Sequence, residues 1–235
     1  MELPFPPNHN FTGREKELSA IYEAFESRSY DLRKVVVLHG LGGIGKTQLA
    51  AQYAYSNHQH YTFVSWINAS NPETISGSFL QIARQLFTQH GPNGSPFDKC
   101  PDYVTIATEP RISPHVLLQS GQITASETPT SVIDAVKRWF CIKDNQRWLL
   151  IVDNYDDIKN IDVSDYLPNC FHGHILITSR ACDSSRFGKG LEVVEVELDD
   201  GMEILRKSAQ YEPIIFKQGE YSVLRGAMFD FNSLE

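Results

Sequence analysis

The stretch GLGGIGKT sets Gly40, Gly42, Gly43 and Gly45 around one lysine and one hydroxyl, Lys46 and Thr47. The spacing fits G-x-x-x-x-G-K-[ST], a loop that binds phosphate. Without a Cβ in the way, backbone amides can turn inward and approach a polyphosphate closely. The amides from Gly42 through Ile44 to Thr47 would then form a concave nest of N–H donors, and the helix that follows would direct its positive end at the same anion. Lys46 would lie along the β- and γ-phosphates, and the Thr47 hydroxyl would ligate Mg²⁺. Gln48 closes the binding stretch.

A metal held by a hydroxyl needs a second anchor, normally an acid at the tip of a buried strand. RWLLIVDNYDD supplies Asp153 after five apolar residues. Asn154 cannot accept a proton, so Asp156 or Asp157 would have to polarise an attacking water. HILITSR delivers Ser179 and Arg180 just past another apolar run, where the forked guanidinium could read a γ-phosphate.

These residues need elements to position them. Leu18, Ile21, Tyr22 and Phe25 recur at helical spacing, which predicts an amphipathic helix over 15–28. KVVVLHG, TFVSWIN, RWLLIVDN, GHILITSR and LEVVEVE read as five strands, mostly without the polar alternation of a half-exposed sheet. Helices are predicted at KTQLAAQYAYSNH, from Pro72 with Asn71 as its cap, at SVIDAVKRWFCIKD and at DDGMEILRKSAQ. Strand and helix alternate, so the expected class is α/β with a mostly parallel five-stranded sheet. Residues 91–128 hold five of the twelve prolines and no sustained period, and read as an insertion or as sequence foreign to the fold. Residues 212–235 are an aperiodic tail.

The 235 residues suit one large domain or one domain with an appendage, with 41% hydrophobic residues and a net charge of −8. That acidic balance argues against nucleic acid or an anionic membrane as the main partner. No signal peptide is expected at MELPFPPNHN, and VVVL and WLLIV are too short to cross a bilayer. The four cysteines show no metal-ligand spacing and read as reduced thiols of an intracellular protein. His172 and His174 flank Gly173 like a metal pair, but nothing completes the set, and a turn is the simpler reading. Trp66, Trp139 and Trp148 read as core aromatics.

Taken in series, these motifs resemble the NB-ARC family of STAND nucleotide-binding proteins, a three-layer P-loop NTPase fold, and its fungal NOD-like receptor members most. FTGREKEL is similar to the family's entry motif, LHGLGGIGKTQLA to its phosphate loop and RWLLIVDNYDD to the fungal form of its Walker B strand. HILITSR resembles the sensor strand, and VELDDGMEILRKSA the closing helix of the nucleotide-binding subdomain. The resemblance covers residues 10–90 and 129–211, and gives 1–211 as the nucleotide-binding domain. It implies that the sensor strand lies between the phosphate-loop and Walker B strands, bringing Arg180 to the γ-phosphate. It also implies that Phe11, Thr12 and Arg14 sit near adenine. It further implies ADP or ATP with Mg²⁺ as cofactors, slow hydrolysis, a cytoplasmic signalling role in innate immunity, and protein partners or self-association. The family's lid and winged-helix motifs do not occur in the sequence, so this chain is expected to be no complete switch. A binding-only pseudo-NTPase or decoy fragment is the alternative. A small-molecule kinase would need an arginine lid, and RISPH at 111–115 lies inside the aperiodic stretch.

Overall fold

The computed structural model describes residues 3–26, 33–90 and 129–209; the aperiodic stretches 91–128 and 212–235 lie outside them. The described elements run α1 (Glu15–Glu26), β1 (Lys34–His39), α2 (Lys46–Asn57), β2 (Phe63–Asn68), α3 (Pro72–His90), α4 (Pro129–Phe140), β3 (Trp148–Asp153), β4 (His174–Ser179), β5 (Lys189–Glu192) and α5 (Leu198–Ala209). Residue contacts divide the chain into two units, one of Met1–Asn8 with Arg14–Glu195 and a smaller one of His9–Gly13 with the segment from Val196.

In the larger unit the strands form one sheet in the order β2-β3-β4-β1-β5, and every pairing is parallel. β4 therefore lies between β3 and β1, the arrangement the resemblance implied. Successive strand residues face opposite sides of a sheet, and both sides are covered here. Val37, Leu150, Val152, Ile175 and Ile177 join one core cluster with Ile75, Phe79, Ile82 and Leu86 of α3 and Val136, Trp139 and Phe140 of α4. Val36, Leu38, Leu149, Ile151 and Leu176 are equally buried but fall outside that cluster, as do Ile21 and Phe25 of α1 and Leu49 and Tyr53 of α2. Two covered faces explain why the strands are apolar throughout.

The α3 start matches the expected cap, with the Thr74 amide donating to Asn71 Oδ1 at 2.8 Å. Two boundaries differ from the sequence reading. α4 stops at Phe140 rather than continuing through CIKD, and the Cys141 amide turns back to the Arg138 carbonyl at 3.0 Å. The last strand lies at Lys189–Glu192 rather than over LEVVEVE. β5 pairs only with β1, and their register ends at His39 with Glu192. The Val193 amide makes one more bond, to the His39 carbonyl at 2.8 Å. Then β1 turns into the glycine loop at Gly40, whose φ is +144°, and no partner strand remains. Trp139 and Trp148 are buried, whereas Trp66 is only partly covered and meets Phe5 edge-on at 5.5 Å. No described helix is long and apolar enough to cross a membrane.

In the smaller unit, the Lys207 ammonium of α5 donates to Thr12 Oγ1 at 2.8 Å, and a Cβ on Gly13 would meet Asp200 Oδ2 at 2.4 Å.

His174 opens β4 with its ring stacked on Phe25 at 4.4 Å and its Nδ1 2.8 Å from the Tyr61 hydroxyl. Burial first, and Lys34 second, pull its pKa from 6.5 to about 4. Because the folded value is the lower one, the unfolded chain binds the proton first. The stability His174 contributes is complete above its unfolded pKa and is lost as pH falls toward its folded one. About 2 kcal/mol should disappear between about pH 7 and about pH 5 from this group alone. Urea unfolding of wild type and His174→Gln at both pH values measures it. The variant should show a flatter pH dependence by that amount; the same slope in both proteins refutes the assignment.

Candidate functional site

β1, β3 and β4 all end on the same side of the sheet, so the residues just past their tips share one cleft. It encloses about 350 Å³ and is lined by Gly42, Gly43, Gly45, Lys46, Thr47, Gln48, Asn154, Asp156, Thr178 and Arg180. Of the residues expected to act on a nucleotide, this brings the loop and the two strand ends together. Gly40 and Ile44 belong to the loop without lining the cleft, and Asp153 and Asp157 lie outside the lining as well.

The loop is shaped by close approach and by handedness. A Cβ on Gly40 would sit 2.4 Å from the Val193 carbonyl oxygen, so only glycine fits beside the end of β5. Gly45, at φ +100°, caps α2 without any side-chain bond, and its carbonyl accepts from the Leu49 amide at 2.9 Å. The first-turn amides of α2 thus open toward the cleft with the positive end of the helix dipole behind them. Lys46 is mostly buried, and its ammonium donates to the Gly40 carbonyl at 2.8 Å and the Leu41 carbonyl at 2.6 Å. Burial lowers its pKa, Asp156 and Asp153 oppose that, and Arg180 adds to it.

Asp153 is 2% exposed at the tip of β3. Its Oδ1 accepts from the Thr47 hydroxyl at 2.8 Å and from the Thr178 hydroxyl at 2.5 Å. Burial raises its pKa, against the pull of those two hydroxyls and of the Asn154 amide. Two hard oxygen donors, Thr47 Oγ1 and the Asp153 carboxylate, therefore stand within hydrogen-bond distance at the mouth of the phosphate loop. That donor set suits a divalent cation such as Mg²⁺.

Thr178 was not singled out by the sequence. It bonds Asp153 and also accepts the Asn154 amide at 3.0 Å. A hydroxyl inside the apolar run HILITSR is the signal that points to it. Asn154 has a φ of +62°, a left-handed conformation that asparagine tolerates better than most residues. The reversal there sends Asp156 toward β4 and leaves Asp157 outside. Asp156 accepts from the Arg180 amide and from Arg180 Nε, each at 2.6 Å. Asp157 instead holds a turn, its two oxygens each 3.0 Å from the Asn160 side-chain amide.

Arg14 also has a left-handed backbone, at φ +68°, just ahead of α1. Its guanidinium donates to the Ile44 carbonyl at 2.9 Å, to the Val194 carbonyl at 2.6 Å and to Glu17 at 2.7 Å. It thereby ties the start of α1 to the phosphate loop. Phe11 and Thr12 belong to the smaller unit. Gln48 accepts from the Asn8 side chain at 3.3 Å. His172 bonds the Phe140 carbonyl and His174 the Tyr61 hydroxyl, and no group of metal-ligating residues occurs among the described ones apart from the oxygen pair above.

The comparisons with known proteins bear on this geometry. A nucleotide-binding leucine-rich repeat (NLR)-like protein of the fungus Hyaloscypha variabilis is 28% identical over 227 residues, spanning 88% of this chain and 19% of that protein. CDC6P from Pyrobaculum aerophilum aligns with a TM-score of 0.51 at 15% identity, over 88% of this chain and 52% of that one. The Drosophila ORC bound to DNA aligns with a TM-score of 0.51 at 14% identity, over 92% of this chain and 49% of that one. At such identities the two structures speak for the fold alone, an α/β P-loop ATPase fold, and this chain spans about half of each and about a fifth of the fungal relative. The profile of the AAA ATPase domain matches residues 10–165, about two thirds of the sequence, and the chain belongs to that family of nucleotide-binding P-loop ATPase domains.

Proposed function

We propose that this chain is the nucleotide-binding module of a signalling protein of the NOD-like receptor type, taking ADP and ATP with Mg²⁺ and hydrolysing ATP slowly. The reading rests chiefly on one contact, the Thr47 hydroxyl on the Asp153 carboxylate beside Lys46. The likeness to an NLR-like protein and the motif series of the NB-ARC type support the signalling role. Protein partners or self-association would follow from assembly of the family's type.

Loop amides from Gly42 to Thr47 would cradle the phosphates. Lys46 would exchange two neutral carbonyl acceptors for anionic phosphate oxygens, which accept roughly twice as strongly. Thr47 and Asp153 would hold Mg²⁺, which when bound neutralises phosphate charge. Arg180 would read the γ-phosphate. Its side chain is 65% exposed in its pair with Asp156, and such pairs are worth about 0.2–1 kcal/mol. A phosphate can therefore compete for Arg180, and its capture would release Asp156 to accept a proton from the attacking water. Phe11, Thr12 and Arg14 are proposed on the adenine side, Arg14 by fixing the loop at Ile44. A binding-only reading has its own support, since both Asp156 oxygens are engaged in the described arrangement.

Isothermal titration of the whole chain with Mg-ADP and Mg-ATP should give dissociation constants on the order of micromolar. Lys46→Ala should weaken both by about tenfold or more. A folded wild type that binds neither nucleotide overturns the proposal. Arg180→Ala should weaken ATP and leave ADP unchanged. Asp156→Asn should cut steady turnover by about a hundredfold with ATP affinity intact. Wild-type binding without any turnover decides for the binding-only reading.

Asp153→Asn separates the metal role from the structural one. The amide oxygen can still accept from Thr47 and Thr178, while the buried charge disappears. Because the folded pKa of Asp153 is raised, the acid stabilises the nucleotide-free chain below its unfolded pKa and loses that contribution as pH rises through the folded value. The variant should melt no lower than wild type at neutral pH, by calorimetry without nucleotide. Its nucleotide affinity should no longer respond to Mg²⁺. A preserved Mg²⁺ response excludes Asp153 as a ligand.

A further inference from the structure

A second cavity, of about 270 Å³, opens at the opposite end of the sheet from the phosphate loop, and its lining belongs wholly to the larger unit. Tyr22 and Glu26 from the end of α1, Tyr53 from α2, Tyr61 ahead of β2, Arg147 ahead of β3 and His174 at the start of β4 line it. Its floor is fixed by hydrogen bonds and stacking. The Tyr61 hydroxyl lies 3.1 Å from the Tyr53 hydroxyl and 2.8 Å from His174 Nδ1, and the imidazole stacks on Phe25 at 4.4 Å. Tyr53 is 2% exposed, whereas Tyr22 is 40% exposed.

Two opposite charges share this cavity without pairing. Among the described residues, neither the Glu26 carboxylate nor the Arg147 guanidinium has a hydrogen bond or an ion pair, with the other or with any neighbour. Arg147 is held through its backbone, whose carbonyl accepts from the Thr62 amide at 2.6 Å and from the Thr62 hydroxyl at 2.8 Å. Burial first, and the Glu26 charge among the lesser causes, push up the Tyr53 and Tyr61 hydroxyls, so the carboxylate is within electrostatic reach of both rings. His174, kept neutral at neutral pH chiefly by its burial, adds no cation to the floor.

We propose that this cavity is a binding site for a small betaine, a quaternary ammonium joined to a carboxylate. The alkylated nitrogen sits against the tyrosine rings with Glu26 beside it, and the carboxylate pairs with Arg147. Ring faces attract a desolvated cation electrostatically. A quaternary nitrogen has no N–H to satisfy, and that fits the floor. The Tyr53 and Tyr61 hydroxyls already serve each other and His174, and the Asn57 side-chain amide donates to the Tyr53 carbonyl at 2.9 Å. An anion alone would meet Glu26, and a cation alone would meet Arg147; a zwitterion answers both. The cavity falls just below the range of drug-sized pockets, about 300–1,000 Å³, and suits a small solute.

Calorimetric titration of the whole chain with glycine betaine should show saturable binding with a dissociation constant of about 1 mM or tighter. Tetramethylammonium and acetate, each carrying one of the two charges, should bind at least about tenfold more weakly. These three titrations use unaltered protein, so no variant has to fold. Glu26→Gln, Arg147→Met and Tyr22→Leu change exposed side chains, and each should weaken glycine betaine by about fivefold with the circular dichroism unchanged. No saturable binding to the folded chain up to about 10 mM, equal affinity for tetramethylammonium or acetate, or wild-type affinity in both Glu26→Gln and Arg147→Met overturns the assignment.

Discussion

A carboxylate withdrawn from water is the constraint around which this domain is arranged. Asp153 is almost fully buried, and an unpaired charge in that position would cost several kcal/mol. The donors that answer it come from three places in the chain: Thr47 from the start of α2, Thr178 from the end of β4, and the amide of Asn154 beside it. Moving α2 or β4 takes away one of the two hydroxyls that solvate the buried Oδ1. The parallel register of β3 on β4, Leu149 with His174 through Val152 with Ile177, carries Thr178 to the acid. The order of the sheet is thus tied to the chemistry at its edge.

The phosphate loop obeys a second constraint, crowding. Gly40 lies against the Val193 carbonyl at a distance no side chain tolerates, and Arg14 holds the loop from the other flank through the Ile44 carbonyl. Lys46 fills the space between with bonds to the loop's own carbonyls. The loop is therefore held in shape by contacts that do not require a ligand, which lowers the ordering an incoming phosphate must supply.

How far the sequence foretold this arrangement depended on whether the information was local. The phosphate loop, the apolar strands and the capped start of α3 are encoded in short windows, and each was legible. The contribution of Thr178 was not, because it arises from a register between strands whose residues are 25 positions apart. Asp156 and Asp157 could not be separated by type or spacing. The left-handed backbone at Asn154 decides which of them turns to the cleft, and no pattern of hydrophobicity records that angle. The bounds of β5 were missed for a related reason: the strand ends where β1 does, a fact belonging to its neighbour.

The two acids near the phosphate loop, Asp153 behind the cleft lining and Asp156 within it, are held in opposite ways. Asp153 cannot move without exposing the hydroxyls that bond it, so it belongs to the rigid frame. Asp156 and Arg180 form a pair open to solvent, whose worth of at most about 1 kcal/mol lies within reach of any competing anion. A frame fixed by burial next to a pair fixed only at the surface would, on the proposed reading, let the cleft respond to a ligand at Arg180 without loosening the loop. On the proposed reading, sensing at Arg180 and binding at the loop would occupy one site but draw on different energies, so a change in the exposed pair would be felt at the tip of β4 while Lys46 and Thr47 stay in place.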